Sequence, residues 1–228
     1  MVFSDINGTR LNRDNYRDLL YNQTSNSYTV KFSQISYNQN NQCANIIPGQ
    51  EDITLVKSRI VKNPIHISKI IEIQGQKVGY LMYNQFVGVV ESEGKDYNSE
   101  LNNVFSNFLS NGINDLVVDL RYNPGGRIST SINLASMITG QFNNQVFAKE
   151  RWNSKLMNYW DENNPESLLN RFTNKLSNNQ SIFSLNLDRV YILTSARTAS
   201  ASELLINGLD PYINCLLYTS DAADDTRS

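Results

Sequence analysis

Histidine occurs once in these 228 residues, at His66, and cysteine only twice, at Cys43 and Cys215. A single histidine removes most of the usual metal sites and ties any His-dependent catalysis to one position. Two cysteines make no disulfide framework and carry no metal-ligand spacing, so neither a metal nor a redox compartment follows from them. No uninterrupted apolar run approaches the ~20 residues of a membrane helix. The N-terminus shows no basic stretch followed by an apolar core, so no signal peptide is visible. Excess positive charge is also missing. A net charge of −2 and a pI near 5.5 argue against a nucleic-acid partner held by phosphate neutralisation. Mean hydropathy is low at −0.42, yet 10% aromatics keep the chain in the globular class.

What is present reads as alternating strands and helices. Val2–Ile6 is a strand running into the turn Asn7-Gly8. Arg13–Tyr21 places Tyr16, Leu19 and Leu20 at helical spacing, with Asn12 as a cap, and Tyr28–Phe32 alternates like a half-buried strand. Residues 34–52 are polar and read as a loop punctuated by Pro48-Gly49. Apolar runs between Ile53 and Ile73, broken at Pro64, suggest connecting strands. From Lys77–Tyr83 onward the pattern becomes regular. Leu101, Val104, Phe105, Phe108 and Leu109 mark a helix ending at Gly112, and Ile113–Leu120 is a strand buried on both faces. Ile128–Ile138 is helical, Arg189–Thr194 a further buried strand, and a helix runs through Leu204, Leu205 and Leu209. Together these imply an α/β core. The stretch Trp152–Ser184 fits either a helical insertion over a site or a solvated excursion. From Cys215 the tail CLLYTSDAAD continues no earlier pattern and reads as translated adapter DNA. The natural sequence is therefore expected to end near Asn214, and Cys215 enters no chemical argument.

Two segments carry chemistry. In TASASE, Thr198–Glu203, Ser200 stands between alanines where a strand gives way to a helix. Glu203 then falls in the helix's first turn, where the dipole favours a carboxylate. In DLRYNPGG, Asp119–Gly126, Pro124 fixes the chain while Gly125 and Gly126 let backbone N–H groups face a substrate oxyanion. Each has a plain alternative: the serine as a helix cap, the glycines as an ordinary turn. A phosphate loop is disfavoured, because neither GxGxxG nor a P-loop lysine is present. His66 sits in NPIHIS with nothing to couple it to Ser200, and GxSxG is absent, so a Ser-His-Asp triad is disfavoured. A Ser-Lys dyad is the natural alternative, yet no lysine follows Ser200.

The ordered segments GYLMYNQF (Gly79–Phe86), DLRYNPGG (Asp119–Gly126) and TASASELLINGLDPY (Thr198–Tyr212) resemble the S41 family of C-terminal processing, or tail-specific, serine proteases, in particular its Bacteroidetes-type branch. The resemblance implies a crotonase/ClpP-like α/β protease core over residues 77–214, incomplete at its C-terminal end. Residues 1–33 would be the C-terminal half of a PDZ-like α+β domain, 34–76 a linker with connecting strands, and 215–228 a non-native tail. It further implies Ser200 as nucleophile, an oxyanion hole from the amide of Ala201 with that of Gly125 or Gly126, and Glu203 and Arg121 as supporting residues. The general base would be a lysine beyond Asn214, so this chain by itself is expected to be inactive. Protein or peptide substrates recognised by their C-termini, no cofactor or metal, and an extracytoplasmic location complete what the family implies. Two further readings stay open: a non-catalytic binding or scaffolding protein on the same fold, and a crotonase-type acyl-CoA enzyme, against which TASASE argues.

Overall fold

A computed structural model describes residues 2–21, 24–40, 43–58, 60 and 62–219. Its contacts divide the chain into two units, Met1–Lys62 and Asn63–Ser228.

The first unit is a four-stranded antiparallel sheet, β1 (Val2–Ile6), β2 (Thr9–Arg10), β3 (Ser27–Tyr37) and β4 (Cys43–Val56), in the order β2-β1-β3-β4. Asn7 and Gly8, with φ of 48° and 75°, close a two-residue turn pairing Ile6 with Thr9, as an Asn-Gly pair between strands does. Ile6 and Val30 are buried, and the Phe3 and Phe32 rings lie 4.8 Å apart. The helix is shorter than its spacing implies: α1 spans Tyr16–Leu20 and buries no residue. The N-cap is Asn15 rather than Asn12, whose Oδ1 accepts from the N–H groups of Asp14 and Asn15 at 2.8 and 2.9 Å and spends residues 13–15 on a turn. The expected loop at 34–52 is instead largely strand. β4 pairs with β3 along most of its length, from Val56 opposite Ser27 to Cys43 opposite Tyr37. Pro48 misled the reading. It lies at a register shift, where Lys31 faces Asp52 and Ser33 faces Pro48, and a bulge tolerates a residue without an N–H.

The second unit carries a five-stranded sheet in the order β13-β12-β9-β6-β5. Its strands are β5 (Ile65–Ile73), β6 (Gln76–Tyr83), β9 (Asp115–Asp119), β12 (Arg189–Thr194) and β13 (Asn214–Thr219). Two-residue strands β7 (Val89–Val90) and β8 (Lys95–Asp96) form a separate ribbon, as do β10 (Val146–Lys149) and β11 (Leu169–Arg171). β5 and β6 make an antiparallel hairpin, and β6, β9, β12 and β13 run parallel. Helices α2 (Tyr97–Ser110), α3 (Ile128–Ile138) and α5 (Ala201–Leu209) link or follow these strands, and α4 (Ser154–Asn163) lies in the insertion. The parallel strands advance in one direction, and right-handed crossovers then place their helices on a single face. Accordingly Leu81, Leu116, Val118 and Ile192 share one core with Phe105 and Phe108 of α2, Leu134 and Met137 of α3, and Leu205 and Leu209 of α5.

The insertion divides between its two alternatives. α4 buries nothing, whereas Phe172 and Leu176 enter the core and Asn102 exchanges hydrogen bonds of 2.9 Å with Ser181 and Phe183. Residues 215–219, expected to continue no pattern, form the exposed edge strand β13 in register with β12; residues 220–228 of that tail lie outside the described residues. An apolar, strand-favouring CLLYT suffices to fill the free edge of β12. Among the described residues, no helix is long and apolar enough to cross a membrane.

Candidate active site

The C-terminal ends of parallel strands are where an open α/β sheet offers a crevice, and both chemical motifs emerge there. Asp119 ends β9 and leads into the Gly125-Gly126 turn; Thr194 ends β12 and leads to Ser200 at the start of α5. A Cβ on Gly125 would lie 2.6 Å from Ser200 Cβ and 2.9 Å from the Ala201 nitrogen, so the two turns touch at the serine.

Asn123, absent from the sequence reading, makes that junction. It is fully buried. Its Nδ2 donates to the Tyr83 carbonyl at 2.8 Å, and its Oδ1 accepts the Gly125 N–H at 2.8 Å. Its carbonyl accepts from the Ala199 N–H at 3.3 Å and from Ser202 Oγ at 3.1 Å. An asparagine two residues before a glycine is a common local turn-former, which is the signal that could have found it. Because Gly125 spends its N–H on Asn123, the two glycines differ. The N–H groups of Gly126 and Ala201 have no partner among the described residues. The Phe86 backbone straddles the turn, donating to Gly125 O at 2.9 Å and accepting from the Arg127 N–H at 2.8 Å.

Ser200 is exposed and has φ 58°, ψ −116°, a conformation that L residues rarely adopt. Glu203 stabilises it, accepting the Ser200 N–H on Oε2 at 2.7 Å. Such backbone strain costs about 1–3 kcal/mol. Ser200→Gly is therefore expected to raise stability by about 1 kcal/mol, after the added freedom of glycine in the unfolded chain is subtracted. Ser200→Ala, which keeps the strain, should not. Urea midpoints for both variants test this, and a lower midpoint for the glycine variant would contradict it.

Arg121, expected to support the DLRYNPGG segment, bonds to the first residue of that segment. It grips the buried Asp119 carboxylate, Nε at 3.0 Å from Oδ1 and Nη2 at 2.6 Å from Oδ2, while Tyr80 donates its hydroxyl to Oδ2 at 2.7 Å. Burial alone would raise the Asp119 pKa; the hydrogen bonds from Arg121 and Tyr80 outweigh it and hold the carboxyl below its usual range. The same contacts raise the pKa of Arg121, and burial beside Asp119 raises that of Tyr80. His66 lies exposed at a register shift in β5, where none of the described contacts joins it to Ser200. Cys215, half-buried against α5, has its thiol pKa pushed up to about 11 by burial and by Asp210.

The family model of peptidase family S41 matches residues 77–211. The chain belongs to peptidase family S41. Its S41 segment thus holds both turns and all of the residues just described except His66 and Cys215. The chain is also similar to a crystal structure from Bacteroides fragilis NCTC 9343 described as an S41 protease. The two are 29% identical over 96% of this chain and 54% of that one, with a TM-score of 0.61. A second similar structure is the photosystem II D1 C-terminal processing protease, at 18% identity over 95% of this chain and 50% of that one, with a TM-score of 0.48. The chain thus spans about half the length of either structure. Curated proteins offer no match.

Proposed function

We propose that the protein is a serine endopeptidase of the C-terminal processing, or tail-specific, kind. The observation that carries this is the contact of Gly125 with Ser200 and Ala201, which unites a strand-end serine with two unspent N–H donors. In this reading Ser200 Oγ attacks the scissile carbonyl. The N–H groups of Gly126 and Ala201 receive the oxyanion, and Glu203 holds the serine backbone in place. Each oxyanion donor is worth about 3 kcal/mol in the transition state. Collapse of the tetrahedral intermediate then breaks the C–N bond, the leaving amine receives the proton taken from Ser200, and water hydrolyses the acyl-enzyme, a cycle that calls for no cofactor or metal. The base is a lysine, neutral in an apolar setting, that takes the serine proton. None follows Ser200 in these 228 residues, so the base is assigned to sequence beyond Asn214. A crotonase/ClpP-like core, a PDZ-like part in residues 1–33 that reads substrate C-termini, and an extracytoplasmic location belong to the same reading and rest on the family resemblance.

It follows that the 228-residue chain turns over substrate on the order of 10⁵-fold or more below a complete enzyme, since loss of one catalytic group removes most of the chemistry. A serine-directed fluorophosphonate should not label it. Labelling that disappears in Ser200→Ala would sink the assignment of the base. The absent lysine also favours a second reading, a non-catalytic binding protein on the same fold. Sequencing the source DNA past the Asn214 codon separates the two. A lysine about two dozen residues after Ser200 supports the peptidase; a continuation without one supports the binder.

A further inference from the structure

Four arginines, Arg10, Arg121, Arg171 and Arg189, each pair with a carboxylate. Arg127 has no side-chain partner among the described residues and is exposed. Its position is unusual, for it directly follows Gly126, whose unspent N–H is assigned to the oxyanion. The carboxylates of the two motifs are already engaged, Asp119 by Arg121 and Glu203 by the Ser200 N–H. Arg127 is thus the uncompensated cation of the DLRYNPGG turn.

Its main chain is held on both sides, the N–H by Phe86 O at 2.8 Å and the carbonyl by the Ser131 N–H at 3.2 Å. As N-cap of α3 it also stands at the positive end of that helix. Three side-chain groups, one from α2 and two from the start of α3, converge on Gly88. A Cβ there would lie 2.9 Å from Asn98 Nδ2, 3.3 Å from Thr130 Oγ1 and 3.6 Å from Arg127 Nη1. Asn98 Oδ1 and Thr130 Oγ1 are buried without a hydrogen-bond partner. Of these two, the Thr130 hydroxyl can donate to an anion, and it lies near Gly88 as Arg127 Nη1 does.

We propose that Arg127 is a specificity-determining residue that binds a carboxylate of the peptide substrate. This rests on the peptidase reading above. Neighbouring Cα atoms are ~3.8 Å apart, and an extended peptide advances roughly 3.3–3.6 Å per residue. A carbonyl seated at Gly126 thus puts the bound carboxylate about one to three residues away. The planar guanidinium fork suits a carboxylate, which it can hold through two parallel hydrogen bonds. The carboxylate is either the peptide's own C-terminus or an Asp or Glu side chain.

The test uses the 228-residue chain, with four fluorescein-labelled peptides that cross a C-terminal acid or amide with an internal Asp or Asn. Fluorescence anisotropy gives each Kd. Removing one carboxylate source should weaken binding about tenfold, the scale of a partly exposed charged hydrogen bond. The source whose removal matters identifies the ligand group. Arg127→Gln should abolish the difference, Arg127→Lys should keep part of it, and Arg151→Gln, an equal change in net charge, should leave it intact. A preference that survives Arg127→Gln, or peptides that bind without any preference, overturns the carboxylate site and leaves the peptidase reading standing. Failure of every peptide to bind the unaltered chain overturns both.

Discussion

Gly126→Ala is expected to cost about 3 kcal/mol or more and to displace the turn that carries the oxyanion donors. Gly126 has φ 143°, and a Cβ there would sit 2.2 Å from the Phe86 carbonyl oxygen and 2.8 Å from its carbon. Both are backbone atoms tied to Gly125 and Arg127 by hydrogen bonds, so the neighbour cannot yield as a flexible side chain would. Positive φ adds its own penalty. Gly125→Ala should behave similarly, since its Cβ would meet Ser200 Cβ at 2.6 Å and Ala199 O at 2.8 Å. Gly112→Ala provides the control. There φ is 62° with nothing within 4 Å, so only the conformational cost of about 1 kcal/mol should appear. Urea denaturation of the three variants decides the matter, and equal losses for Gly126→Ala and Gly112→Ala would show that Phe86 does not confine the turn.

Arg121→Leu should destabilise the protein by about 2 kcal/mol at pH 7, and the loss should shrink on acidification. The Asp119 side chain is wholly buried, whereas Arg121 is 41% exposed. Stripping a buried carboxylate of its cation typically costs 3–5 kcal/mol, which is discounted here for that exposure and for the remaining Tyr80 hydrogen bond. In the unaltered chain the folded pKa of Asp119 is depressed. Its contribution is therefore fully present above the unfolded value near 4 and is lost as pH falls through the folded one. Without Arg121, burial raises the folded pKa, and protonation then favours the folded state as pH drops. The two stability curves should converge between pH 7 and 4. Urea midpoints at pH 7, 5.5 and 4 measure this; a constant gap would mean that Arg121 acts through packing alone.

Where the sequence misled, the cause was local. Pro48-Gly49 is turn chemistry in isolation, but a bulge accommodates it within the β3–β4 hairpin, and pairing with Ser33 is a long-range fact. Arg13–Tyr21 has helical spacing, but Asn12 draws residues 13–15 into a turn and Tyr16, Leu19 and Leu20 are not buried, so only one turn and a half remain helical.

The sequence by itself determined β6, β9 and β12 and the helices α2, α3 and α5, because apolar periodicity is a local property of the chain. It also determined the two motifs and the family they belong to. Tertiary structure alone decided which atoms meet. The contact of Gly125 with Ser200, the choice of Gly126 as the glycine with a free N–H, and the bracing by Asn123 join segments from different strands. The strained φ of Ser200 and the unpaired guanidinium of Arg127 were likewise invisible in one dimension. A sequence shows which donors and acceptors a chain carries, but which of them are already spent depends on neighbours that only folding brings within hydrogen-bonding distance.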